Sequence, residues 1–187
     1  MVSEVFQPPF TVGAMLLLSP AASPGWPGTW WYGALAVLFV CVLPFGILLA
    51  LVRAGRVVDH HVSERAQRAP VLVMSLACIT AGIVLLAALG APASVLAMTV
   101  ALVAGVAVMA VVSLRWKISG HSASIAAAAV VLPLLLGPGW WAALAVVPLV
   151  GWARVTLGAH TLGEVLAGIA TGPLIIVGLW MLLLRAA

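Results

Sequence analysis

A histidine and an acid stand four residues apart near the C-terminus, His160 and Glu164, with Arg154 six residues before the histidine. On a helix that begins near residue 160, this spacing puts both side chains on one face and within reach of each other. A carboxylate that holds one ring nitrogen leaves the other nitrogen oriented as a nucleophile or a base. The same spacing also suits an ordinary polar pair at a helix end. The pattern therefore indicates a catalytic site only when it is taken together with the other polar clusters of the chain.

A second cluster, Lys117-Ile118-Ser119-Gly120-His121, comes directly before a long uncharged run. Backbone N–H groups at a helix N-terminus bind anions, and a neighbouring lysine and histidine strengthen such a site. The cluster predicts an anion-binding helix start, with a simple helix cap as the alternative.

A third group of polar residues lies earlier in the chain and includes His60, His61 and Glu64. It also contains Arg65 and Arg68, which share one helix face and could clamp a phosphate. The two arginines could equally pair with Glu64 or with lipid headgroups.

The composition indicates which elements must position these clusters. Only 6% of the 187 residues are charged and 65% are hydrophobic, whereas a soluble domain carries about a quarter charged residues. The net charge of +4 comes from too few basic residues to form the broad patch that binds nucleic acid. The chain is therefore predicted to be an all-α integral membrane protein that does not bind nucleic acid.

A membrane-spanning helix needs about 20 apolar residues. On that basis we predict a domain over residues 30–187 with six transmembrane helices, at residues 30–52, 71–90, 93–114, 122–136, 140–153 and 162–184. The N-terminal segment, residues 1–29, holds a short apolar stretch from Thr11 to Ala22. We interpret that stretch as re-entrant or interfacial, or as the start of a seventh span.

The order of the spans predicts where the polar clusters lie. Segments 53–70, 115–121 and 154–160 follow the first, third and fifth spans, so all three emerge on one membrane face. Together they hold seven of the eight basic residues and all four histidines. Juxtamembrane anchoring would explain Arg53 and Arg56. It would not explain histidines, or an acid inside a span, and such residues near lipid indicate a functional site.

These motifs resemble those of the type 2 phosphatidic acid phosphatase (PAP2) superfamily, whose members carry Lys-x6-Arg-Pro, Pro-Ser-Gly-His and Ser-Arg-x5-His-x3-Asp on a six-helix core. The second motif resembles residues 118–121 here, and the third resembles residues 153–164 with its spacing intact. The resemblance covers about residues 55 to 175.

The resemblance implies roles for individual residues. His160 resembles the nucleophile that takes the phosphoryl group, oriented by Glu164, and His121 resembles the general acid that protonates the leaving oxygen. The phosphate-binding residues implied are Arg68, Arg154, Ser119 and Gly120, with Arg65 or Lys117 as the further cation.

The chain departs from the family motifs at several positions. Glu164 stands where the family has Asp, Ala153 where it has Ser, and Ile118 where it has Pro. In the first motif, His61 occupies the lysine position and Pro70 comes one residue late.

The resemblance and the residue inventory together predict a phosphatase that acts on a lipid phosphate or diphosphate, of the polyprenyl, phosphatidate or phosphatidylglycerophosphate class. The four acids of the chain are scattered, which disfavours the Asp-rich, metal-dependent enzymes, so we expect no metal and no cofactor. Two alternatives stay open: a lipid phosphotransferase on the same scaffold, and a catalytically silent membrane assembly subunit.

We expect the protein in a bacterial cell membrane, in contact with membrane lipids. Excluding the candidate site residues, Arg53, Arg56 and Arg115 oppose Arg185, and the positive-inside rule then favours a cytoplasmic site. The family resemblance favours the external face, which we adopt.

The first prediction is that hydrolysis of a lipid phosphate persists in excess EDTA, because four scattered acids are too few to hold a catalytic Mg²⁺. Phosphate release with and without the chelator is the measurement. Activity that is lost on chelation and restored by Mg²⁺ would contradict it.

Overall fold

A computed structural model describes residues 6–59, 65–113 and 115–187, without the side chains of residues 65, 66, 68, 69 and 72. Every regular element in these ranges is helical, so the predicted all-α class is confirmed for the described chain. The seven helices are α1 (Pro8–Leu18), α2 (Trp30–Arg53), α3 (Arg65–Ala88), α4 (Ala93–Ser113), α5 (Gly120–Leu136), α6 (Val146–Thr156) and α7 (Leu162–Ala186).

Three of these helices, α2, α4 and α7, are long and apolar enough to cross a membrane. They coincide with the first, third and sixth predicted spans. The apolar parts of α3 and α5 are shorter, at Val73–Ala88 and Gly120–Leu136. The predicted helix over 140–153 differs most, since Pro138–Ala145 is a 3₁₀-helix that leads into α6.

The helices run up and down, and side-chain hydrogen bonds tie together the end of the bundle opposite the polar clusters. Tyr32, at the start of α2, donates its hydroxyl to the carbonyl of Leu89 at 2.9 Å. Ser94 donates to Ser23 O at 2.7 Å, and the buried Trp180 donates its indole N–H to Ser94 O at 3.3 Å. These bonds hold the turn before α2, the α3–α4 turn and the end of α7 at one level.

The N-terminal segment belongs to the common core. Helix α1 and a short 3₁₀ turn, Ser19–Ala22, pack against α2 and α5, and Met15 and Leu16 are fully buried. Close packing with α2 relies on Gly33, since a Cβ there would lie 2.7 Å from Leu16 O. Together α1 and its turn measure about 24 Å, short of the roughly 30 Å hydrocarbon layer.

Helix α5 is the central element of the fold. Its eight consecutive residues from Ser122 to Ala129 are all buried, as expected for a helix that is apolar on every side. It packs against α1, α6 and α7. Small side chains let its neighbours approach closely all round.

The closest approach is between α5 and α7, at two glycines one turn apart. A Cβ on Gly168 would lie 2.5 Å from Ser119 O, and one on Gly172 would lie 2.1 Å from Ala123 O. Both clashes are with backbone, which cannot move aside as a flexible side chain can. The two glycines therefore set the distance between the helix that starts at residue 120 and the helix that starts at residue 162.

The second prediction is that Gly168→Ala and Gly172→Ala each lower the free energy of unfolding by about 1–3 kcal/mol, the usual range for overpacking. Gly178→Ala in the same helix is the matched control, because nothing lies within 4 Å of its Cβ position. Alanine also favours a helix over glycine by about 1 kcal/mol, so the control should be neutral or slightly stabilising. Thermal unfolding in detergent compares the three, and equal stability in all three would refute the role of the contact.

Candidate active site

Glu164 is fixed at the start of α7 by a reciprocal helix cap. Thr161 accepts a hydrogen bond from the Glu164 N–H at 3.3 Å, and the Glu164 carboxylate accepts one from the Thr161 N–H at 2.9 Å. This capping box satisfies N–H groups that a helix start otherwise leaves unpaired. The capping box therefore fixes the position of the carboxylate independently of its contact with His160.

His160 is placed by the turn that leaves α6. Gly158 adopts φ +64°, a conformation that favours glycine, and lets the chain reverse after Thr156. The backbone N–H groups of Ala159 and His160 both donate to Arg154 O, at 3.1 and 3.3 Å. The end of α6 thus holds the histidine directly before α7 begins.

The His160 ring contacts two acceptors through the same nitrogen. Its Nδ1 lies 3.0 Å from the backbone carbonyl of Lys117 and 3.4 Å from Glu164 Oε2. A carbonyl oxygen can only accept, so we assign the proton of the neutral ring to Nδ1. Nε2 then carries the lone pair. This is the protonation state that a nitrogen nucleophile requires.

The start of α5 is joined to the same region. The Ser119 N–H donates to the backbone carbonyl of Glu164 at 3.1 Å, and the Lys117 ammonium donates to Ala159 O at 3.0 Å. Ser119 is fully buried and caps α5, since its hydroxyl oxygen accepts from the Ser122 N–H at 3.3 Å. His121 follows in the first turn of α5 and is half-buried.

The Lys117–His121 cluster and the cluster that holds His160 and Glu164 are thus brought together, with Lys117 and Ser119 in direct contact with the segment 159–164. One assignment differs from the sequence expectation. The Ser119 amide, expected to bind phosphate, donates to the Glu164 carbonyl, because the close approach of α5 and α7 puts that acceptor beside it. The Lys117 ammonium donates one hydrogen bond to Ala159 O, and its contact with phosphate stays a prediction.

Arg154 and Gly120 lie next to this cluster. Arg154 is in the last turn of α6 and is half-buried, with its Nε atom completely covered by protein. Gly120 is the first residue of α5, where a backbone N–H can bind an anion.

The third sequence cluster, the group that holds Arg65 and Arg68, is described only in part. Residues 60–64, and with them His60, His61 and Glu64, lie outside the described residues, as do the side chains of Arg65 and Arg68. Gln67 joins the loop to α3, accepting from the Val58 N–H at 3.0 Å and donating to Arg56 O at 3.4 Å. The phosphate contacts of Arg65 and Arg68 stay a prediction.

Two features of the site were not anticipated from the sequence. The Thr161-x-x-Glu164 spacing is a capping-box pattern and could have been recognised. The Lys117 carbonyl could not, because every residue has a carbonyl and only the fold decides which one meets the histidine. Within the described ranges, no group of three His, Cys, Asp or Glu side chains is arranged to hold a metal ion.

Comparisons of the chain with known protein families, with curated proteins and with solved structures find no match. The geometry of the site therefore carries the functional argument.

Proposed function

We propose that the protein is a membrane-embedded phosphatase that hydrolyses a lipid phosphate or diphosphate through a phosphohistidine at His160. The observation that carries the proposal is the pair of acceptors on His160 Nδ1, the Lys117 carbonyl and the Glu164 carboxylate. They favour an imidazole whose Nε2 is the nucleophile. The PAP2-like motif spacing around the same residues agrees with this chemistry.

The first step forms a bond between His160 Nε2 and phosphorus while the bond from phosphorus to the leaving oxygen breaks. His121, which enters this step protonated, donates a proton to that oxygen, so the leaving group departs as the lipid alcohol, or as the lipid monophosphate when the substrate is a diphosphate. In the second step water attacks phosphorus, the P–N bond breaks, and His121 takes the proton from the water. The products are inorganic phosphate and the lipid alcohol, or the lipid monophosphate from a diphosphate, and both histidines return to their starting states.

Glu164 stabilises the intermediate in this scheme. When Nε2 becomes phosphorylated and Nδ1 keeps its proton, the ring carries a positive charge. The Glu164 carboxylate, 3.4 Å from Nδ1, offsets that charge. Its hydrogen bond from the Thr161 N–H keeps it in this position during the reaction. Phosphoryl transfer depends mainly on such positioning and on neutralising charge.

The cation for the transferring phosphoryl group is assigned to Arg154, with the Gly120 amide, Arg65 and Arg68 as further donors. Arg154 lies in the last turn of α6, and its own carbonyl accepts the N–H groups of Ala159 and His160, so it is joined to the turn that holds the histidine. A guanidinium donates in a fork that matches phosphate oxygens. Its proximity along the chain supports the assignment.

A lipid substrate is supported by the surroundings of the site. Three helices are apolar enough to cross a membrane, and we propose that α3, α5 and the segment Pro138–Thr156 cross beside them, giving six spans in a bacterial cell membrane. An apolar groove of about 190 Å³ lies between α3 and α4, lined by Ser75, Leu76, Ile79, Val103, Val106, Ala107 and Ala110. The hydroxyl of Ser75, the one polar side chain in this lining, donates to Val71 O, so the groove presents a hydrocarbon surface. The groove lies along the half of α4 that is nearer to Lys117.

The third prediction is that His160→Ala abolishes turnover and leaves no labelled protein. Wild-type protein given a ³²P-labelled lipid phosphate and quenched in alkaline denaturant should carry a label that is stable to base and released by acid, as a P–N bond is. Label that survives in His160→Ala would overturn the assignment of the nucleophile.

His121→Ala is the matched variant, because it removes a histidine of the same cluster with a different role. It should slow the first step, formation of labelled protein, severely with a lipid monophosphate, whose alkoxide needs a proton, and much less with p-nitrophenyl phosphate, whose leaving group does not, as read from the initial burst of p-nitrophenolate. Equal defects in the first step on both substrates would contradict the role of His121 as general acid.

A further inference from the structure

Lys117 contacts the His160 segment at two points. Its backbone carbonyl accepts from His160 Nδ1 at 3.0 Å, and its ammonium donates to the backbone carbonyl of Ala159 at 3.0 Å. The two bonds run in opposite directions between the same pair of segments. One residue therefore holds both the ring of the histidine and the backbone that carries it.

The Lys117 carbonyl is itself held on its C-terminal side. The Ile118 N–H donates to Trp116 O at 2.8 Å, and the Ser119 N–H donates to Glu164 O at 3.1 Å. These bonds fix the backbone that follows the carbonyl, and the second fixes it to the start of α7. The acceptor is therefore held relative to the helix that begins beside His160.

The carbonyl is also nearer to Nδ1 than the carboxylate is, at 3.0 Å against 3.4 Å. The Glu164 carboxylate is shared, because it also accepts from the Thr161 N–H at 2.9 Å. Of the two acceptors, the Lys117 carbonyl is thus the better placed to decide which ring nitrogen carries the proton.

We propose that Lys117 is a positioning residue for His160, which keeps the proton on Nδ1 through its carbonyl and keeps the ring in register through its ammonium. The inference rests on the proposed function and deepens it, by separating two tasks. Lys117 sets the tautomer of the nucleophile, and Glu164 offsets the charge of the phosphohistidine. It also reassigns Lys117 from the phosphate to the histidine.

The test is the tautomer of His160, read by ¹⁵N NMR of protein labelled at histidine nitrogen in lipid nanodiscs, at a pH where the ring is neutral. The signal is assigned by its loss in His160→Gln. Wild-type protein, Lys117→Arg and the control Arg115→Met should show the proton on Nδ1. Lys117→Met keeps the backbone carbonyl but loses the ammonium bond to Ala159 O. The His160 ring should then move away from the carbonyl of residue 117 and show a mixture of both tautomers. An unchanged tautomer in Lys117→Met would overturn the proposal.

Kinetics supply the second readout. Lys117→Met should lower kcat about ten- to a hundredfold, as misplacement of a reacting group does, and leave competitive inhibition by sulfate unchanged, because sulfate can occupy a phosphate site without bonding to His160. Lys117→Arg should recover most of the rate, and Arg115→Met should match wild type. Weaker sulfate inhibition with an unchanged tautomer would make Lys117 a phosphate ligand and overturn the inference.

Glu164→Gln keeps the test decisive if Lys117→Met does not fold. It should retain the Nδ1–H tautomer while kcat falls, since the glutamine loses the charge but the Lys117 carbonyl remains. Loss of that tautomer in Glu164→Gln would overturn the inference. The NMR measurement needs no substrate. If Lys117→Met changes the tautomer but the wild-type protein forms no phosphohistidine, the proposed function is refuted and the positioning role of Lys117 stands.

Discussion

The contact between α5 and α7 is the constraint on which the site depends. Gly168 and Gly172 allow the α7 backbone to touch Ser119 O and Ala123 O, closer than any side chain would permit. That approach brings the Ser119 N–H onto the Glu164 carbonyl and the Lys117 carbonyl onto the His160 ring. In an apolar bundle with few polar groups, backbone contacts of this kind can hold a polar site without many charged side chains.

Three helix ends meet at this contact, and each contributes a different kind of group. The end of α6 supplies the Arg154 carbonyl that holds the histidine backbone, and the start of α7 supplies a capped carboxylate. The start of α5 supplies backbone amides and His121. Helix starts favour negative charge, so the arrangement suits an anionic ligand. The proposed phosphoryl transfer uses all three ends.

Part of this arrangement could be read from the sequence. The i, i+4 spacing of His160 and Glu164 and the order of the spans predicted their approach and their association with Lys117. The buried position of α1 was not readable, because an apolar stretch of that length suits a core helix and an interfacial one equally. The 3₁₀-helix at Pro138–Ala145 depends on packing against α5, which hydropathy does not report. The Lys117 carbonyl has no side-chain signature at all.

The central claim is that His160 Nε2 is the atom that takes the phosphoryl group. The most direct measurement is an experimental structure of the protein in nanodiscs with orthovanadate, which mimics the transferring phosphoryl group. We expect vanadium bonded to His160 Nε2, with Nδ1 still on the Lys117 carbonyl and His121 on the opposite side of the vanadate. Vanadate bound away from His160, or bonded through Nδ1, would contradict the account.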